Sequence, residues 1–347
     1  MVLFNHRHAC ILRAKPCIVV TPVNDKESHM NLKSVAITIV SAITIALPAQ
    51  QPVERPRITG ISHVGYFVSD LPKAIAFWHD FLGYDVSYTL PKPNSTETRI
   101  AFIKLNDHQH IELFNEPHTM PLNFMSHLCF TVDNIDQMRA FLRSKGYDVK
   151  PSAGKTKTGD YAFDIKDPDG MLIEFVQTLP DGWEAKAAGK FLPETRISPG
   201  IYHVGYLVGD AQRTTDFYKL LGFTETWRGG ANPNELSWIN MKVPDGTDYI
   251  EFMLYHELTD RTWSGKNHIS LVVPDIEKAV ATLKARPYFA TYGKPLEIRT
   301  GVNQKHQVNM FDPDGTRVEI MEPFTVTGKP TPPSTAPPPP ASPPWVK

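Results

Sequence analysis

Hydrophobic and polar positions repeat one pattern four times between residues 57 and 325. Each repeat opens with a histidine and a run of aromatic and β-branched residues: His63-Val-Gly-Tyr-Phe-Val68, His127-Leu-Cys-Phe-Thr-Val132, His203-Val-Gly-Tyr-Leu-Val208 and His268-Ile-Ser-Leu-Val-Val273. Such runs predict short strands. An acidic residue follows each run (Asp70, Asp133, Asp210 and Asp275) and marks a helix start. Apolar residues then recur at helical spacing: Ile75, Trp78 and Leu82; Ile135, Met138 and Leu142; Phe217, Leu220 and Leu221; Ile276, Val280 and Leu283. Gly83, Gly146 and Gly222 supply C-caps for the first three helices, and Pro287 stops the fourth. Extended segments follow and end on Ile111-Glu-Leu-Phe114, Ile173-Glu-Phe-Val176, Ile250-Glu-Phe-Met253 and Val318-Glu-Ile-Met321. The Asp-Pro-Asp-Gly turns at 167–170 and 312–315 predict hairpins before two of these strands. Every module therefore reads as strand, helix, then about three strands.

The repeats are duplications. From opening His to closing Glu they span 49, 47, 48 and 51 residues, and the second half restates the first at an offset of 140 to 141. This predicts an α+β chain with one domain over 57–180, a linker over 181–200 with helical character from Trp183 to Lys190, and a second domain over 201–325. The tail at 326–347 is rich in Pro, Ser and Thr, cannot build a core and is expected to be disordered.

Alternation along a strand puts residues i, i+2 and i+4 on one face. With the helix covering the aliphatic face, His63 and Glu112 fall on the opposite, concave face. The same reasoning places His127 with Glu174, His203 with Glu251, and His268 with Glu319. Imidazole and carboxylate together suit Zn, Ni, Mn or Fe(II), and a carboxylate flanked by Ile, Leu or Phe needs a partner to offset its desolvation. His110 shares the face of Glu112. It joins Tyr161, Asn240 and His306 as a candidate substrate contact, among wider polar candidates (Arg99, His108, Lys155, Arg228, Trp238 and Lys305).

Composition narrows the function classes. The chain of 347 residues carries a net charge of −1, which leaves no electrostatic footprint for nucleic acid or an anionic membrane. Of three cysteines only Cys129 falls in the duplicated region, so no disulfide framework is expected. Residues 1–56 read as an extension plus a secretory signal. A basic start at Met30 precedes an apolar run from Val35 to Leu47, too short for a span, and Ala49 suits cleavage. Secretion or periplasmic export, without stable membrane insertion, is the expectation.

The segments HVGYFVSDLPKAIAFWHDFLGY (63–84) and HVGYLVGDAQRTTDFYKLLGF (203–223), with HIELF and YIEFM after them, resemble the vicinal-oxygen-chelate superfamily. That family includes glyoxalase I, bleomycin- and fosfomycin-resistance proteins, methylmalonyl-CoA epimerase and extradiol dioxygenases. The resemblance implies βαβββ modules paired into open metal-binding cups. One cup would take His63, Glu112, His127 and Glu174; the other would take His203, Glu251, His268 and Glu319. Relatives differ in whether modules pair one with two or one with four. It further implies a glyoxalase-like lyase or isomerase acting on a small oxygen-rich carbonyl substrate, with Glu174 and Glu319 as candidate bases. The alternatives are an Fe(II) or Mn(II) ring-cleaving dioxygenase and a non-catalytic ligand-binding protein. Export argues against a glutathione adduct, a cytoplasmic compound, as substrate.

Overall fold

The computed structural model describes residues 52–116, 125–150, 152–254, 266–334 and 336–342. The signal segment at 30–49 lies outside them. Among the described residues no helix is long and apolar enough to cross a membrane.

In the first half the strands are β1 (Ile58–Val68), β2 (Val86–Pro91), β3 (Thr98–Lys104), β4 (His110–Asn115), β5 (Met125–Val132), β6 (Gly154–Lys155), β7 (Tyr161–Lys166) and β8 (Leu172–Gln177). They form one curled eight-stranded sheet in the order β2-β3-β4-β1-β5-β8-β7-β6. The second half repeats it. Strands β9 (Ile201–Val208), β10 (Thr224–Gly229), β11 (Trp238–Lys242), β12 (Tyr249–Leu254), β13 (His268–Val272), β14 (Arg299–Thr300), β15 (Lys305–Phe311) and β16 (Arg317–Thr325) lie in the order β10-β11-β12-β9-β13-β16-β15-β14. Each sheet thus joins modules one and two, or three and four, through the antiparallel pairs β1–β5 and β9–β13.

The helices start where a side chain can accept a free backbone N–H. Asp70, Asp210 and Asp275 accept from Lys73, Arg213 and Lys278. In module two the cap is Asn134, which accepts from Gln137 N, rather than Asp133, which accepts from Arg57 N. Gly83, Gly146 and Gly222 end their helices with φ of 84°, 87° and 89°. The linker forms only the short helix Trp183–Lys186.

The two halves share one apolar core. Phe81 stacks on Tyr292 with ring centroids 4.8 Å apart, and Phe130 meets Phe223 at 5.2 Å. The Asp-Pro-Asp-Gly turns cross between the halves. Asp169 accepts from Gly209 N and Asp210 N in module three, and Asp314 accepts from Ser69 N in module one. Sheets therefore pair modules one with two, while turn contacts pair one with four and two with three. The described part of the proline-rich tail makes contacts with the second half. Ser334 Oγ and Ala336 O accept from Arg228, and Ser342 Oγ donates to Asp210, so these polar groups anchor the extended segment to the second half.

Candidate metal centre

Strand register builds each cup from two adjacent rungs. In the first, His110, His63, Cys129 and Glu174 lie side by side across β4, β1, β5 and β8. In the next, Glu112, Gly65 and His127 do the same, and Leu172 occupies the fourth place, one residue before the Leu128–Ile173 pair. All these residues share the concave face by alternation.

Four donor groups converge there. His63 Nε2 lies 3.0 Å from His127 Nε2 and 3.1 Å from Glu174 Oε2. Glu112 stands 3.9 Å from His63 Nε2 and 3.7 Å from His127 Nε2, and Glu174 is 3.6 Å from His127 Nε2. Ligands held at about 2.1 Å from one ion are about 3.0 Å apart at cis octahedral positions and about 3.4 Å apart at tetrahedral ones. The spacing of His63, His127 and Glu174 fits a shared ion, and Glu112 faces both histidines from beside them. Ser62 Oγ and Ser126 Oγ engage the Nδ1 atoms of His63 and His127 at 3.0 and 2.7 Å, which leaves both Nε2 atoms facing inward.

The field of this cup favours a cation. Burial works against protonating His63, but the carboxylates of Glu112 and Glu174 outweigh it and raise its pKa. Burial likewise works to raise Glu174, yet its hydrogen bond with His63 and the charges of His63 and His127 bring it down to about 2. The carboxylates thus favour a proton on His63, while burial, outweighing the same carboxylates, holds His127 below the ordinary histidine range.

The second cup repeats the arrangement. One rung holds Tyr249, His203, Ser270 and Glu319, and the other holds Glu251, Gly205, His268 and Arg317. His203 Nε2 is 3.0 Å from His268 Nε2 and 3.6 Å from Glu319 Oε1, and His268 Nε2 is 4.0 Å from Glu251 Oε1. Its charge balance differs. Burial lowers His203 and His268 well below the ordinary histidine range, and the Arg317 charge pushes the same way. Burial, with the neighbouring Glu319, lifts Glu251 to about 8.

The two glycines are required by close approach. A Cβ on Gly65 would sit 2.4 Å from His127 Cε1, and one on Gly205 would sit 2.1 Å from His268 Cε1. Each metal-facing histidine lies across the glycine of its neighbouring strand.

The candidate substrate contacts divide. His110 is buried in the first cup and stacks on His63 at 4.4 Å, with Nε2 3.7 Å from Glu112 Oε1; Tyr249 stacks on His203 in the same way at 4.7 Å. Asn240 lies opposite Glu251 in the register and lines a cavity with Tyr202, Trp227 and Lys305. Tyr161 is solvent-exposed and pairs with Gln177, three residues beyond Glu174. His306 bonds Glu322 at 3.0 Å beside the fourth helix. Neither reaches a cup, because both fall on the opposite face or beyond it. Two residues escaped the sequence reading. Trp183 of the linker packs edge-on against His110 at 5.2 Å, and nothing local in the sequence signals that contact. Arg317 stands two residues before Glu319, so the alternation that selected His110 also points to it.

Comparison with known proteins agrees with this architecture. Residues 60–175 and 200–320 match the family described as the Glyoxalase/Bleomycin resistance protein/Dioxygenase superfamily. Lactoylglutathione lyase of Schizosaccharomyces pombe is 28% identical over 225 residues, covering 59% of this chain and 68% of that protein. A variant of homoprotocatechuate 2,3-dioxygenase from Brevibacterium fuscum superposes with a TM-score of 0.59 at 18% identity, covering 82% of this chain and 77% of that one. The complex of the same enzyme with 3,4-dihydroxyphenylacetate gives 0.58 at 17%, covering 82% and 87%. At such identity the structural likeness speaks for the fold alone.

Proposed function

Since the chain belongs to the Glyoxalase/Bleomycin resistance protein/Dioxygenase superfamily, we propose that it is a divalent-metal-dependent lyase or isomerase acting on a small carbonyl substrate in its first cup. The observation that carries this reading is the donor set of His63, Glu112, His127 and Glu174, in which the two histidine Nε2 atoms are 3.0 Å apart and each carboxylate stands 3.1 to 3.9 Å from them. A divalent ion held there would serve as a Lewis acid toward adjacent substrate oxygens and stabilise negative charge developing beside a carbonyl. Glu174 is the general base in this proposal. Its side chain is 24% exposed against 13% for Glu112, so it lies nearer the open side of the cup. His63 and His127 hold it in position, and it takes the proton adjacent to the carbonyl. Phe114, beside His127 at 5.9 Å, and Trp183, over His110, line the cup with apolar surface that excludes water from that proton transfer.

Export is retained as part of the proposal on the strength of the Met30 to Ala49 segment. It favours free 2-oxoaldehydes or hydroxyketones over thiol adducts. A mature chain beginning shortly after Ala49, read by N-terminal sequencing from the native host, is the expected result.

The test of the chemistry is to strip the protein of metal and reload it under nitrogen with Zn, Ni, Mn or Fe(II). Assays then follow on 2-oxoaldehydes, their thiol adducts, hydroxyketones and catechols. Turnover with a redox-inert ion and no oxygen is expected, because the proposed step is a proton transfer that needs charge stabilisation and a base but no oxidant. Activity confined to Fe or Mn with oxygen would establish a ring-cleaving dioxygenase instead. Stoichiometric binding without turnover would establish a ligand-binding protein.

A further inference from the structure

The two cups carry the same four donors and differ at three places on the same rungs. Tyr249 stands for His110, Ser270 for Cys129, and Arg317 for Leu172. The first two exchanges keep size or polarity nearly the same. The third puts a permanent cation among metal donors.

Arg317 Nη2 lies 2.9 Å from His268 Nε2 and also touches His268 Nδ1, so the guanidinium rests against the ring itself. His268 Nδ1 is 2.9 Å from the carbonyl oxygen of Lys266. A carbonyl only accepts, so Nδ1 carries the proton and Nε2 keeps the lone pair that faces the cup. A divalent ion bonded to Nε2 at about 2.1 Å would stand within contact distance of the guanidinium, two cations competing for one place beside the same carboxylates, Glu251 and Glu319. The remaining contact of Nη2 is with Met253 Sδ at 3.6 Å. Nothing comparable exists in the first cup, where the same register position is the apolar Leu172.

We propose that Arg317 is the resident cation of the second cup, standing in for a metal ion, so that the chain binds one divalent ion, in the first cup, and the second cup is metal-free. This replaces the expectation of a metal in each cup, and its count of one rests on the metal reading of the first. The second cup keeps a cavity of about 230 Å³ lined by Arg317, Glu251, Glu319, Trp227, Trp238 and Gln307. Whatever enters it meets a guanidinium where the first cup offers a metal.

The test is a count of bound metal by elemental mass spectrometry. The full chain is stripped with chelator, reloaded with excess Zn and desalted, and its melting curve is recorded as a check of folding. Wild type is expected to hold one Zn per chain, and R317L, which installs the residue of the first cup, is expected to hold two. H63A/E174Q should hold none, and the same pair on R317L should hold one. Two Zn in wild type, or no gain in folded R317L, would overturn the proposal. Should R317L not fold, L172R carries the same argument into the first cup and should lower the count from one to none. An unchanged count in L172R would overturn it equally. A wild type with no Zn and R317L with one would refute the metal reading of the first cup while upholding the role of Arg317.

Discussion

Replacing Gly65 by alanine adds one methyl group and should empty the first cup while leaving the fold in place. The new Cβ would sit 2.4 Å from His127 Cε1, 2.6 Å from His127 Nδ1 and 2.6 Å from Ser126 Oγ. Carbon–carbon contacts are comfortable at about 3.5 Å or more, so His127 must retreat by about 1 Å. The strand cannot move instead, because β1 is held by β4 on one side and β5 on the other. A metal site tolerates ligand displacements of about 0.2 Å, so Nε2 leaves bonding distance. Disturbing a ligand's support alone typically weakens binding about 10- to 100-fold, and losing the ligand should exceed that range. The overpacking itself costs about 1–3 kcal/mol. Competition against a chromophoric chelator reads the affinity, and denaturant titration of the metal-free protein reads the fold. Metal affinity within threefold of wild type would refute the reasoning, since His127 could then coexist with a Cβ at position 65. G205A makes the parallel clash with His268 at 2.1 Å and should leave the metal count unchanged.

Three further outcomes follow from the packing and the charges. Burial lifts Asp312 to about 7 and Asp167 to about 6, so the folded chain holds protons that the unfolded chain releases above about pH 4. Stability should therefore be full below that pH and fall as pH rises through 6 to 7. D312N should flatten the upper part of this fall in denaturant midpoints taken between pH 5 and 8, since Asn keeps the acceptor for Asp314 N and Thr316 N. Phe81→Ala removes a fully buried ring from between the two halves and should cost about 3–5 kcal/mol in denaturant unfolding without changing metal content. Trp183→Ala should cost a similar 3–5 kcal/mol and also weaken metal binding, as the His110–His63 stack loses its outer support; affinity equal to wild type would separate the linker from the site.

The sequence by itself determined the modules, their strand faces and the eight donors, because these follow from local periodicities. A period of two fixes which side chains share a face, and side-chain caps and left-handed glycines fix where helices begin and end. Duplication made each inference four times over. Period two also put His110 on the cup face, where it stacks on His63, and contained Arg317 unread, two residues before Glu319. Tyr161 and His306 were candidates on residue type alone, and alternation across the β7–β8 and β15–β16 pairs puts both on the face away from the cups. What only the tertiary structure decided is which strands become neighbours. The antiparallel junctions β1–β5 and β9–β13 set modules one with two and three with four, and so gathered each set of four donors. Long-range packing brought Trp183 over His110 and tied the proline-rich tail to Arg228 and Asp210. The difference between the cups is likewise tertiary. Leu172 and Arg317 differ in one line of sequence, but only the register that puts Arg317 beside His268 turns a surface-type residue into a charge at the centre of a metal-type site.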